Sequence, residues 1–334
     1  MKIEELEDLL ANHLGLVTNK DPHIAFLTKE MLECWATIKD NDVNNRLLQD
    51  LVFRYAKAEK KLMALNQELL EKQKRIEEDL AAAAEIQKSL LPKDAGEFED
   101  FKIAWYFEPC EHIGGDILNI LQLDDQRWAI YVLDVSGHGV PAAMLAVSVS
   151  QLLQPHTGYL TQKHKGKLSK RELKDPAEVL SMLDREYPFE RFNNFFTISY
   201  LILDTANFTL QYSNAGHPPP ILQRSDGSLE LLTSGGHSIG MGSFKTAGKG
   251  ENFYSQESIE LHSGDKLFVY SDGITEFQNG SGGFFGNNRL FGELKKLSEL
   301  PVSETVDALI KTIKAFGGSL KPQDDVTLLG LQIS

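Results

Sequence analysis

A chain of 334 residues with 42% hydrophobic and 25% charged residues has the composition of an ordinary globular protein, long enough for about two domains. Its 34 Lys and Arg against 48 Asp and Glu give a formal charge of −14, a surface that repels phosphate backbones and so disfavours nucleic acid as a partner. No run approaches the ~18 apolar residues of a membrane span, and the acidic, amphipathic "MKIEELEDLLANHLGL" lacks the basic start of a secretory signal, so a cytoplasmic protein is expected. Cys34 and Cys110 match no metal-ligand or redox spacing and read as isolated buried thiols.

The first 91 residues read as helical. Ile3, Leu6, Leu9, Leu10 and Leu14 share one helical face, and "HIAFLTKEMLECWATIK" repeats that behaviour. "DNDVNN" (40–45) then interrupts with residues that favour caps and turns. A linker helix is expected over about 44–91. Within it Leu51, Tyr55, Ala58, Leu62, Leu65, Leu69, Lys72, Ile76, Asp79, Ala83, Ile86 and Leu90 alternate in steps of four and three, the repeat of a coiled-coil seam. An amphipathic helix packed on its own domain would give the same pattern. Lys72 and Asp79 put polar groups at consecutive core positions of the seam. Polar seam residues set register at some cost in stability, which makes this stretch the expected regulated joint.

Beyond Pro92 the texture becomes strands punctuated by Gly, Pro and Asn. "FKIAWYF" (101–107), "RWAIYVLDV" (127–135), "FFTISYLIL" (195–203), "FTLQYSN" (208–214), "KLFVYSD" (266–272) and "VTLLGLQI" (326–333) are rich in β-branched and aromatic residues. Helical patterns interleave at 141–154, 176–187 and 302–316. Hairpin-like pairs with grouped helices predict a layered α+β domain over 92–334. The basic stretch 160–174 reads as a solvated insertion or as a docking surface for an acidic partner. Neither GxGxxG nor a Walker sequence is present, which excludes those nucleotide-binding loops.

Aspartates recur at the strand ends. Asp134 and Asp272 each close an apolar run, Asp116 follows a glycine pair, and Asp324–Asp325 open the last strand. One Asp beside Gly is an ordinary turn. Four such sites gathered at one end of a sheet would repel one another unless cations neutralised them. Carboxylate oxygens without a His or Cys cluster favour Mg²⁺ or Mn²⁺ over Zn²⁺.

Residues ~82–334 resemble the SpoIIE/RsbU-type branch of the PPM (protein phosphatase 2C-like) serine/threonine phosphatases. The resemblance rests on "AAEIQKSLLP", "IGGDILNI", "YVLDVSGHGVPAAMLA", "FFTISYLILD", "YSNAGHPPPIL", "SIGM", "KLFVYSDGITEF" and "QDDVTLLGL", in the family's order. It implies an α-β-β-α sandwich of two antiparallel sheets flanked by helices, preceded by the helical region with its coiled-coil-like linker. It also implies two Mn²⁺ or Mg²⁺ ions. Asp134 matches the bridging ligand, the Val135 carbonyl and Asp116 further ligands, and Asp272 and Asp324 the ligands of the first metal. Asp325 stands in the adjoining slot. Two such ions roughly 3.5–4 Å apart can activate a water for direct attack on phosphorus.

His138 is a candidate acid beside the phosphate, and His217 in "NAGHP" reads as a hydrogen-bonded structural histidine. "PCEHIGG" carries no phosphate-clamping arginine before Asp116. By resemblance the substrate is a phosphoserine or phosphothreonine on a small STAS-domain, anti-anti-sigma-like partner. Residues 1–91 would then dimerise and regulate. A signal from an upstream activator, moving residues 72–91 with Ile86 and Leu90, would make activity conditional. A catalytically silent interaction module on the same fold is the alternative, and a two-metal nuclease or small-molecule phosphatase a third reading.

Overall fold

The computed structural model describes residues 42–92, 96–163, 171–241 and 253–334. The two helical patterns expected before residue 40 and Cys34 lie outside these residues. The chain forms two compact units, residues 1–79 and 80–334.

Helix α1 runs from Asp42 to Lys88, close to the 44–91 that the periodicity predicts. Neither Gly nor Pro interrupts it, and its Ala, Leu, Glu, Gln and Lys residues are good helix formers. Pairs one turn apart support it, Asp50 with Arg54 at 2.8 Å and Glu68 with Lys72 at 2.7 Å, each worth a few tenths of a kcal/mol. Leu51, Tyr55, Leu62, Leu65, Leu69 and Ile76 of the apolar stripe are exposed. In residues 80–334 the character of the helix changes, because Gln87 and Leu91 are buried and Leu90 packs against the core.

The remaining elements, in chain order, are β1 (Phe101–Glu108), β2 (Ile117–Gln122), β3 (Arg127–Val135), α2 (Val140–Leu152), β4 (Thr161–Lys163), β5 (Arg171–Leu173), α3 (Pro176–Glu186), α4 (Phe189–Phe192), β6 (Phe196–Asp204), β7 (Thr209–Ala215), β8 (Ile221–Gln223), β9 (Leu229–Leu231), β10 (Gly235–Gly236), β11 (Glu257–Glu260), β12 (Lys266–Tyr270), α5 (Asp272–Thr275), α6 (Gly286–Lys296), α7 (Val302–Gly317) and β13 (Val326–Ile333). One sheet has the order β1-β13-β12-β8-β9; the other runs β10-β7-β6-β3-β2, with β11 added on β7. Both large sheets are antiparallel except for the short β10–β7 pair. The flanks of the basic insertion pair as a separate ribbon, β4 with β5.

The sheets face each other, and period-2 alternation decides what each strand gives to which layer. On β12, Leu267 and Val269 enter the inter-sheet core while Phe268 and Tyr270 turn toward α6 and α7. Helices α2 and α3 cover the outer face of the other sheet, so β3 is buried on both faces from Ala129 to Leu133. That double burial is why "AIYVL" reads as an unbroken apolar run. The layers are therefore helix, sheet, sheet, helix.

Candidate metal centre

Asp134 is the penultimate residue of β3, between two neighbouring strands. Thr197 of β6 is its register partner on one side. On the other, Ile117 pairs with Leu133, so Asp116, one residue earlier, comes opposite Asp134. After β3 the chain must leave quickly. Gly137 and Gly139 adopt φ of 85° and 77°, a region that costs glycine little. Helix α2 then starts at Val140 with Pro141 in its first turn, where a missing N–H does no harm. The second sheet supplies Asp272, at the start of α5 just past β12, and Asp324, just before β13.

These four carboxylates form a descending series. Asp116 is buried, Asp134 and Asp272 are half-buried, and Asp324 is exposed at the mouth. Burial is the first cause that raises each of their pKa values, and neighbouring carboxylates add to it. Asp134 is pushed up to about 7, with Asp272 and Asp324 as the next causes. Burial and then Asp134 and Asp325 hold Asp116 well above the usual carboxylate range. Asp272 rises to about 6 through burial, Asp324 and Glu276, and Asp324 is raised as well, by burial first. Asp134 is thus the node, coupled to Asp116 on one side and to Asp272 and Asp324 on the other. Among the described residues no Lys or Arg pairs with any of the four. An uncompensated set of this kind suits divalent cations with oxygen ligands.

The buried end of the series is held by hydroxyls of the opposite sheet. Thr327 Oγ1 donates to Asp116 Oδ2 at 2.5 Å, and Ser271 Oγ both donates to the Asp325 carbonyl at 3.0 Å and accepts from the Thr327 amide at 3.1 Å. Asp324 Oδ1 accepts the Asp325 amide at 2.8 Å.

Asp325 does something different from the other four. Its Oδ1 accepts the Cys110 amide at 2.8 Å, and its Oδ2 accepts those of Gly115 at 2.6 Å and Asp116 at 3.2 Å. Both oxygens therefore serve the loop that delivers Asp116. Cys110, Asp324 and Asp325 are the described group whose ligand atoms all lie within 4.8 Å of one another, but the Cys110 thiol is driven up to about 12 by burial and by Asp325, which disfavours the thiolate a metal requires.

The glycines are explained by crowding. A Cβ on Gly114 would stand 2.4 Å from Asp325 Oδ2, one on Gly115 would stand 2.7 Å from the Val135 carbonyl, and one on Gly273 would stand 2.1 Å from the Asp325 carbonyl. None of the three is among the residues with positive φ. Their role is close approach of chain to chain.

Sequence reasoning passed over Gln87. Its side-chain amide, in the last turn of α1, donates to the Gly114 carbonyl at 2.7 Å and accepts the Gly114 amide at 3.1 Å. The available signal was its place four residues after Ala83 on the apolar stripe, where a polar side chain needs a partner. Of the other expected positions, His138 is 68% exposed and pairs with Glu111 at 3.0 Å, outside the carboxylate series. His217 is buried, with Nδ1 2.7 Å from Thr197 Oγ1. Lys72 and Asp79 are exposed, and so is Ile86.

The chain is 27% identical over 241 residues to the phosphoserine phosphatase RsbP of Bacillus subtilis (strain 168), covering 71% of this chain and 53% of that protein. It is 25% identical over 270 residues to the phosphoserine phosphatase RsbU of the same organism, covering 78% and 71%. It thus spans about half the length of RsbP. The SiaA-PP2C domain of Pseudomonas aeruginosa matches the fold with a TM-score of 0.65 at 22% identity, over 79% of this chain and 99% of that one; the two-sheet sandwich is of PP2C type. The family model of Stage II sporulation protein E (SpoIIE) matches residues 124–334, more than half of the chain, and the protein belongs to the SpoIIE family.

Proposed function

We propose that the protein is a metal-dependent phosphatase of phosphoserine or phosphothreonine proteins. The observation that carries this reading is the position of Asp134, electrostatically joined to Asp116 and to Asp272 and Asp324, with no Lys or Arg partner among the described residues. Asp134, Asp116, Asp272, Asp324 and the Val135 carbonyl would hold two Mn²⁺ or Mg²⁺ ions. When bound, such ions lower the pKa of water and neutralise phosphoryl oxygens. The chain itself orients the ligands. Thr327 and Ser271 fix Asp116, the Asp325 amide fixes Asp324, and the open mouth at Asp324 gives a phosphorylated segment access. His138, paired with Glu111 and acting on Asp324 at that rim, would serve as an acid beside the phosphate. The named activities of RsbP and RsbU support the same reading. Phosphate release from a phosphoserine peptide tests it: activity should require Mn²⁺ or Mg²⁺ and disappear in Asp272→Asn. Metal-independent activity, or none with any divalent ion, would refute it.

Regulation is proposed to enter through residues 1–91, with the catalytic domain following from 92. Gln87 and Leu91 support this, since the end of α1 is embedded beside the Asp116 loop and a shift of Gln87 would move Gly114. Exposure of the apolar stripe from Leu51 to Ile76 favours a second copy of this chain as the partner of α1, with Lys72 and Asp79 as its weak register. The motif resemblance favours a STAS-domain phosphoprotein as substrate. An intact phosphorylated STAS protein should then be dephosphorylated faster than a peptide cut from it.

A further inference from the structure

The loop between β7 and β8 carries the chain from one large sheet to the other, and His217 sits on it, almost completely buried. Asn214 holds the residue in place: its Nδ2 donates to the His217 carbonyl at 2.8 Å and its Oδ1 accepts the His217 amide at 2.8 Å. Gly216 makes the bend with φ of 65°, and a Cβ there would lie 2.3 Å from Ser238 Oγ. A loop tied at this many points aims the imidazole in one direction.

The ring lies between β6, which neighbours the strand of Asp134, and β12, which leads to Asp272. Nδ1 is 2.7 Å from Oγ1 of Thr197, the register partner of Asp134; cross-strand partners place their side chains on the same face. Nε2 is shut from solvent and has no hydrogen-bond partner, and the Tyr270 backbone is the polar group that acts on the ring. Tyr270 is the last residue of β12, two before Asp272. There is a reason that this backbone looks to a side chain. Strand β8 pairs with β12 through Phe268 and Ile221, and the chain before Ile221 is Pro218-Pro219-Pro220, which has no N–H to offer. That segment offers the Tyr270 backbone no amide donor, and the His217 ring is the polar side chain that meets it. Burial pushes the His217 pKa down to about 3, so the ring is neutral and carries one proton. A proton on Nε2 would face Tyr270 and leave Nδ1 to accept from the Thr197 hydroxyl.

We propose that His217 is a positioning residue of the metal centre, spanning from Thr197 beside Asp134 to the Tyr270 carbonyl ahead of Asp272 and so setting the spacing of two carboxylates that belong to different sheets. This rests on the metal-centre reading above and deepens it. Groups behind metal ligands commonly change affinity by about 10–100-fold when removed. His217 stands one step further back, so the lower end applies.

The test measures Mn²⁺ binding by the electron paramagnetic resonance signal of free Mn²⁺, without substrate, on the full chain. Thr197→Val keeps the shape and removes the hydroxyl, and His217→Leu removes both ring nitrogens. His217→Gln restores a donor near the Nε2 position. Thr197→Val and His217→Leu should weaken Mn²⁺ binding about tenfold, with His217→Gln closer to wild type. Thr197→Val provides the answer if His217→Leu does not fold. Variants that melt earlier yet bind Mn²⁺ as wild type does would reduce His217 to a packing residue and overturn the proposal alone. Wild-type protein that binds no Mn²⁺ would overturn the metal centre and the proposal with it.

Discussion

Gln87 and Gly114 hold each other twice, the side-chain amide donating to the Gly114 carbonyl at 2.7 Å and accepting from its N–H at 3.1 Å. The pair joins the last turn of α1 to the loop that delivers Asp116. Its removal leaves a backbone donor and an acceptor buried without partners, a cost of about 1–3 kcal/mol for each group left so. Gln87→Ala should lower the melting temperature and raise the Mn²⁺ concentration for half-maximal phosphatase activity about tenfold. An unchanged Mn²⁺ dependence would mean that the helix end only packs there.

Asp325 should behave as an anchor for the loop. Asp325→Ala strands three amides, those of Cys110, Gly115 and Asp116, and should destabilise the protein by about 3 kcal/mol or more. Asp325→Asn keeps one carbonyl acceptor and should recover part of that loss. Thermal melts of the metal-free proteins separate the two. Equal melting of Asp325→Ala and wild type would show that the carboxylate is dispensable to the loop.

Gly273→Ala brings a methyl to 2.1 Å from the Asp325 carbonyl oxygen and 2.9 Å from its carbon, both backbone atoms. The strand end must shift, and Asp272 moves with it. Lost phosphatase activity together with a lower melting temperature is expected, by more than the ~1 kcal/mol typical of a point substitution. Circular dichroism melts and phosphate release check both. A fully active, equally stable variant would contradict the crowding.

The metal-free protein should lose stability as pH rises. Asp134 titrates near 7 and Asp272 near 6 in the fold, against about 3.9 in an unfolded chain. A raised carboxyl pKa means that the folded state keeps a proton the unfolded state has released, so stability is present below the unfolded value and falls from about pH 4 through pH 7. His217 acts in the opposite sense, being neutral in the fold down to about 3 and therefore destabilising only as pH falls below about 6.5. Asp134→Asn isolates the first effect. It should flatten the fall in melting temperature between about pH 5.5 and 7.5, a change of a few degrees. An identical pH profile in wild type and Asp134→Asn would contradict the proximity of the carboxylates.

Exposed Leu65 and Leu69 lie on the apolar stripe of α1. If a second copy covers that stripe, Leu65→Lys with Leu69→Lys should convert a dimer into a monomer in light-scattering chromatography. A wild-type chain that is already monomeric at micromolar concentration would remove the seam.

Much of the fold was legible because burial on both faces writes itself into sequence. Strands β3 and β13 coincide with the apolar runs 127–135 and 326–333, and α7 extends the predicted 302–316 by one residue. Strand β2 was not read, since "ILNILQ" is short and carries Asn119, whose buried side chain donates to the Leu90 carbonyl. Helix α6 begins "GNNR", which looks like a loop; burial of Leu290 and Leu294 decides otherwise. The carboxylates were legible because a charge at the end of an apolar strand is costly unless used. The grips of Asp325 on the Cys110–Asp116 loop, of Thr327 on Asp116 and of Gln87 on Gly114 join distant parts of the chain, and no local pattern records such contacts.

Asp134 is the carboxylate proposed to be shared by two ions. Calorimetric titration of the metal-free full chain with Mn²⁺ tests it most directly, in wild type and in Asp134→Asn. Two ions per chain are expected in wild type, with both sites weakened together in the variant. One ion per chain in wild type, or two ions bound equally well without the Asp134 carboxylate, would contradict it.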